Sequence, residues 1–152
     1  MTVAIAPLVV PARLDGDDAA EFLSLIALIN RANEHEGGHT MFAEKADESL
    51  PSWHDEDRPR HGFVARRAGT MVGAAVVSVT RVAGTGSDEI EVFVDPDASG
   101  GADVARALLA AAERSVHELG RPPAGVWSLH RGSTTGARVH ARTGFGGVPA
   151  GD

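Results

Sequence analysis

Residues 90–113 read IEVFVDPDASGGADVARALLAAAE. Ile90, Val92 and Val94 alternate with Glu91 and Phe93, a run of β-branched and aromatic residues that suits a strand. Asp95-Pro96 ends it, because proline has no N–H to continue a ladder. The segment DASGGAD supplies a glycine-rich turn. Residues 103–119 then predict a helix, alanine-rich with Val104, Leu108, Ala112, Val116 and Leu119 on one face. Gly120 and Pro122-Pro123 terminate it. A strand running through a glycine turn into a long amphipathic helix is a building unit of an α/β domain.

Working outward, residues 63–67 and 71–80 read as two strands flanking Ala68-Gly69-Thr70, a hairpin in which glycine supplies the turn. A second turn at residues 83–87 joins them to the strand at 89–94, giving an antiparallel meander. Upstream, residues 3–10 predict a strand, and Asp15-Gly16-Asp17-Asp18 a turn and an acidic helix start. Phe22, Leu25, Ile26 and Ile29 recur at helical spacing within residues 19–33, and Gly37-Gly38 stops that helix. Residues 41–50 predict a second short helix ended by Pro51. The polar, proline-flanked stretch 51–61 reads as a loop anchored by Trp53. Downstream, residues 126–130 predict a short strand carrying Trp127, and 133–143 a short helix ended by Gly144. The order describes one α/β domain over residues 1–152, its sheet covered by helices on both faces. No internal repeat or low-complexity linker divides it.

Composition narrows the function classes. The 152 residues suffice for a buried core, and 43% hydrophobic with 23% charged content is that of a globular chain. A net charge of −7 argues against general nucleic-acid binding, which needs clustered Lys and Arg. The absence of cysteine removes disulfides, thiolate zinc sites and a cysteine nucleophile, and fits a reducing compartment. The apolar opening MTVAIAPLVVPARL lacks a basic leader and is interrupted by two prolines, so neither a signal peptide nor a membrane span is expected. A cytoplasmic location is the expectation.

Residues 35–39, His-Glu-Gly-Gly-His, satisfy the H-E-x-x-H pattern, in which two histidines one helical turn apart bind zinc and the glutamate activates a water. Two glycines in that turn cost about 1 kcal/mol each in helix propensity, and mark a helix end instead. Glu44, Glu48, His54 and His61 are candidate third ligands, with nothing in the spacing to single one out.

The ordered set IEVFVDP, DASGGAD and VARALLAAAE, followed by VWSLH and ARVHARTGF and preceded by FVARRAGTMVGAAVVSV, resembles the GNAT acetyltransferase superfamily over residues 62–145. The resemblance implies a mixed, mostly antiparallel central sheet covered by helices on both faces, with acetyl-CoA as acyl donor. It also implies direct attack by an amine acceptor, a small molecule or a peptide. Backbone N–H groups in the glycine turn and at the helix start would bind the donor's pyrophosphate. That assigns Phe93, Val94, Ser99, Gly100, Gly101, Ala102, Asp103, Val104 and Ala105 to donor binding. Glu91, with Glu89 on the same strand face, is the implied general base, although both also read as solvated carboxylates. The loop after the first helix walls the acceptor site in the family, which implies substrate contacts from His35, Glu36 and His39. No metal is expected.

The chain departs from the family in three places. The signature Arg/Gln-x-x-Gly-x-Gly/Ala falls on Ser99, Ala102 and Val104 counted forwards from Pro96, or on Gly100, Asp103 and Ala105 counted back from Leu108-Leu109. Asp103 would repel a pyrophosphate by about 1–3 kcal/mol. Where the family places a tyrosine as general acid to the departing thiolate stands His140, and the chain has no tyrosine. Ser133 replaces the asparagine that often opens the last helix, while Arg131, Arg138 and Arg142 are candidate phosphate contacts or a solvated face. Only GGVPAGD follows Phe145 where the family has a final strand. A domain from a longer chain is therefore expected, with a second GNAT domain as partner, as in tandem proteins such as mycothiol synthase. The alternatives are a non-catalytic GNAT-like domain with weak or no CoA binding and, more distantly, a zinc hydrolase built on residues 35–39.

Overall fold

The computed structural model describes residues 3–37, 44–79, 88–119 and 126–130. In chain order these form β1 (Ala4–Pro7), α1 (Ala20–Gly37), α2 (Ala46–Trp53), β2 (Arg60–Arg67), β3 (Thr70–Ser78), β4 (Glu89–Val94), α3 (Gly101–Glu118) and β5 (Val126–His130). The strands make one sheet in the order β1-β2-β3-β4-β5, antiparallel except for the β4–β5 pair. Ala68 (φ 52°) and Gly69 (φ 81°) form the two-residue turn between β2 and β3, the left-handed pair that matches strand twist. A parallel pair cannot be joined by a hairpin, and α3 provides the crossover between β4 and β5.

Strand alternation divides the hydrophobic residues between two cores. Ile90, Val92 and Val94 face α3, where Val104, Leu108, Leu109, Ala112 and Val116 close over them. Phe93 points the other way and joins Val64, Ala74 and Val76 beneath Phe22, Leu25, Leu28 and Ile29 of α1. Each large side chain so buried stabilises by about 1.5–3 kcal/mol before entropy is charged against it. The mixed sheet with helices on both faces is thus present. No described helix is long and apolar enough to cross a membrane.

A bulge sits in β3, where pairing with β2 steps from Ala65↔Gly73 to Arg66↔Met71. Val72 and Gly73 consequently both turn toward α3. Glycine is required there, since an added Cβ would lie 2.8 Å from Leu108 and 2.9 Å from Val104.

Several bounds differ from the sequence reading. β1 stops at Pro7 rather than residue 10, although the Leu8 N–H still donates to the Gly62 carbonyl at 2.7 Å. α1 continues past residue 33 to Gly37, so His35 and Glu36 belong to a helix end and not to the loop beyond it. α2 begins at Ala46 and runs through Pro51, so that stretch is not the start of a loop. Its Leu50 and Trp53, one turn apart, both reach the core against α1, and their burial outweighs the proline's missing hydrogen bond. Trp53 meets Phe22 edge-on at 5.8 Å. α3 begins at Gly101, two residues ahead of expectation, because Gly100 takes the left-handed conformation (φ 66°, ψ 35°) just before it.

Candidate active site

The carboxyl end of β4 feeds the turn that starts α3. The Asp95 N–H donates to the Val72 carbonyl at 2.9 Å, and the Ala98 N–H to the Asp95 carbonyl at 3.0 Å. The Asp95 carboxylate accepts from the Asp97 N–H at 2.9 Å and pairs with Arg31 of α1 at 3.1 Å, which ties that helix to the turn. At the helix start the N–H groups of Asp103 and Val104 donate to the Gly100 carbonyl. Those of Gly101 and Ala102 have no acceptor within the helix. The positive end of the helix dipole and N–H groups without a helical acceptor coincide here, beyond the carboxyl ends of the parallel pair.

Arg67, the last residue of β2, lies against this turn. Its Nη1 donates to the Ser99 carbonyl at 2.9 Å, and a Cβ added to Gly100 would stand 3.8 Å from its Nη2. The Arg67 Nε is buried without a hydrogen-bond partner among the described residues. Asp103 points outward, its carboxylate 81% exposed and paired along the helix with Arg106.

The opposite face of β4 carries Glu89, Glu91 and Phe93. Glu89 pairs with Arg58 at 3.3 Å, while Glu91 is half-buried and lines a polar recess of about 70 Å³. Trp53, Arg60, Val76, Phe93 and Glu44 border the same recess, with Ile29 and Asn33 of α1 above. Asn30 grips the backbone just ahead of α2, donating to the Glu44 carbonyl at 2.9 Å and accepting from the Glu44 N–H at 2.7 Å. One strand thus separates an anion-favouring turn from a carboxylate-bearing recess.

A scan of protein-family models found no match to the chain, and a search of curated proteins found none. Solved structures do match. An aminoglycoside acetyltransferase from an uncultured soil metagenomic sample is 15% identical with a TM-score of 0.62, over 98% of this chain and 93% of that one. PaiA N-acetyltransferase from Thermoplasma acidophilum, in complex with coenzyme A, is 14% identical at TM-score 0.57 over 94% and 89%. A tandem GNAT protein from the clavulanic acid biosynthesis pathway is 20% identical at TM-score 0.54, over 79% of this chain and 34% of that one.

The chain has the GNAT acetyltransferase fold.

Within this GNAT fold the residues singled out in the sequence fall into three groups. Ser99, Gly100, Gly101, Ala102 and Asp103 come together at the turn and the first helical turn. The side chains of Val94, Val104 and Ala105 pack into the α3 core, so only their backbones are available to a ligand, whereas Phe93 packs toward α1 and borders the recess. Glu91 reaches the recess, whereas Glu89, two residues away on the same strand face, pairs with Arg58 outside its lining. His35 and Glu36 stand on the last turn of α1. His140, Ser133, Arg131, Arg138, Arg142, the helix expected at residues 133–143 and everything after Phe145 lie outside the described residues, as do Gly38 and His39 of the His-Glu-Gly-Gly-His motif. Trp127 pairs with Ile90 through the β4–β5 backbone.

Sequence reasoning missed Arg67, Arg60 and the Arg31–Asp95 bond. Arg66-Arg67 at the end of a strand does carry a signal: alternation must send them to opposite faces. The structure sends Arg66 to Glu21 at 2.8 Å on the α1 face and Arg67 to the turn on the α3 face.

Proposed function

We propose that this chain is an acyl-CoA-dependent N-acetyltransferase that moves an acetyl group to an amine by direct attack. The observation that carries this reading is that Glu91 and the Ser99–Gly101 turn belong to one strand-to-helix unit, the carboxylate on one face of β4 and the N-terminal end of α3 just beyond it. The orphaned Nε of Arg67 beside that turn fits a phosphate oxygen, which accepts from a guanidinium in a charge-assisted bond. Arg67, with the N–H groups of Ser99, Gly100, Gly101 and Ala102, would hold the pyrophosphate of acetyl-CoA. The backbones of Phe93, Val94, Val104 and Ala105 flank it, and Asp103 opposes it. Bound acetyl-CoA supplies a thioester whose carbonyl carbon is open to attack and whose sulfur leaves with the electron pair.

Glu91 receives the proton that the amine nitrogen releases as its bond to the acetyl carbon forms. Backbone N–H groups near the end of β4 polarise the carbonyl. His140 returns a proton to the sulfur as the carbon–sulfur bond breaks, so protons balance over the turnover. Glu89 is held by Arg58 on the same strand face, and His35, Glu36 and His39 contact the acceptor.

Calorimetric titration with acetyl-CoA, followed by a thiol-release assay over a panel of primary amines, tests this reading. The Glu91→Gln variant is expected to keep donor affinity and to lose about 10²- to 10⁴-fold in turnover. Absence of both binding and thiol release would establish a non-catalytic GNAT-like domain instead, and full turnover by the variant would remove Glu91 as base.

A further inference from the structure

Arg60, the first residue of β2, stands apart from its neighbouring arginines. Arg31, Arg58, Arg66 and Arg67 each have an acidic or carbonyl partner. The Arg60 guanidinium makes no hydrogen bond or ion pair among the described residues; it lies over the Trp53 ring, 5.9 Å from its centroid. Stacking on an aromatic face holds a guanidinium in place while leaving its in-plane N–H fork unused. It lines the same recess as Glu91.

The register sets the spacing of these two charges. Gly62 pairs with Val76 and Val76 with Glu91, so Glu91 lies two strands from Gly62. Arg60 lies two residues along β2 from Gly62, on the same face. The two backbones are therefore roughly 12 Å apart, a gap that one long and one shorter side chain narrow but do not close. The recess between them is too small for more than the polar head of a ligand. Arg60 stands at one wall and Glu91 at the other, with Glu44 also in the lining. The acidic residues favour an amine, and the Arg60 cation favours a head that carries an anion as well. A polyamine would set a second positive charge against Arg60.

We propose that the acceptor is an amino carboxylate, its nitrogen toward Glu91 and its carboxylate forked by Arg60. This rests on the acetyl-transfer reading for the reaction, though not for the binding. Glycine, β-alanine and γ-aminobutyrate are compared with their amides and with 1,3-diaminopropane, by thiol release and by ligand-induced shift of the melting temperature. At least one amino carboxylate is expected to exceed its amide by tenfold or more in kcat/KM. Arg60→Gln should abolish that preference while leaving acetyl-CoA affinity unchanged. Arg60→Lys, which keeps the charge and loses the fork, should retain part of it and serves if the glutamine variant fails to fold. Equal use of carboxylate and amide, preference for the diamine, or a preference that survives Arg60→Gln overturns the proposal. If no amine releases thiol, the reaction reading fails, and the melting shifts alone decide this one: stabilisation by an amino carboxylate that depends on Arg60 supports it, and no such stabilisation overturns it.

Discussion

Asp103, the third residue of α3, favours the free helix and disfavours a bound pyrophosphate, because both respond to the same positive helix end. Arg106 already pairs with it, so the carboxylate's field is partly cancelled. The unchanged chain is expected to bind acetyl-CoA with a Kd of about 0.1 mM or weaker. Asp103→Gly should tighten this, since it removes the charge and releases Arg106 toward the phosphates. The same change should cost the unliganded protein ~0.5–1 kcal/mol. Arg67→Gln should act in the opposite sense, loosening acetyl-CoA roughly tenfold through loss of a charge-assisted donor. Calorimetry at one fixed low salt concentration compares all three proteins. Micromolar binding by the unchanged chain, or no gain from Asp103→Gly, would show a loop built differently from this description.

Contact between α3 and the sheet depends on Gly73 and on the bulge that turns it toward the helix. An alanine there must push Leu108 and Val104 aside, since its Cβ would also stand 3.1 Å from the Phe93 carbonyl oxygen. Gly73→Ala is expected to destabilise by about 1–3 kcal/mol, as overpacking does, with the urea midpoint as readout. Further along α3, burial raises the Glu113 carboxyl above its usual range. The folded chain therefore favours the neutral form. Its contribution is fully present below the unfolded pKa and is lost as pH rises through the folded one. Glu113→Gln should raise the melting temperature slightly near neutral pH and leave it unchanged well below the ordinary Glu pKa of about 4.3, where folded and unfolded carboxyls are both neutral. A variant less stable at neutral pH would contradict this.

Across the whole molecule, one sheet joins two cores, and Trp53 is the piece that serves both fold and recess. It is 4% exposed, packs edge-on to Phe22, approaches the sheet where Gly62 has no side chain, and carries Arg60 on its face. Trp53→Ala is expected to cost about 3–5 kcal/mol, which lowers the melting temperature of a domain this size by roughly 10 °C. Any acceptor preference that depends on Arg60 should weaken with it at temperatures where the variant remains folded. A melting temperature within a degree or two of the parent would mean that α2 is not held by this residue.

The α3 core and the strand-to-helix unit were legible because their signals are local. A period of two through Ile90, Val92 and Val94, a period near 3.6 through Val104, Leu108, Ala112 and Val116, and a glycine turn between them follow from backbone geometry alone. Placing Glu91 on the face opposite the α3 core needed nothing more than alternation. Other features depend on residues far apart in the chain. Pro51 reads as a helix end until Trp53 finds Phe22 across the domain. Nothing near Arg67 announces Ser99, 32 residues away, and nothing near Arg60 announces that it would be left with a ring instead of a carboxylate. Local periodicity assigns a side chain to a face. Its partner on that face is chosen only when sheet register and helix packing bring distant elements within a few ångströms, where hydrogen bonds and close contacts first acquire energy.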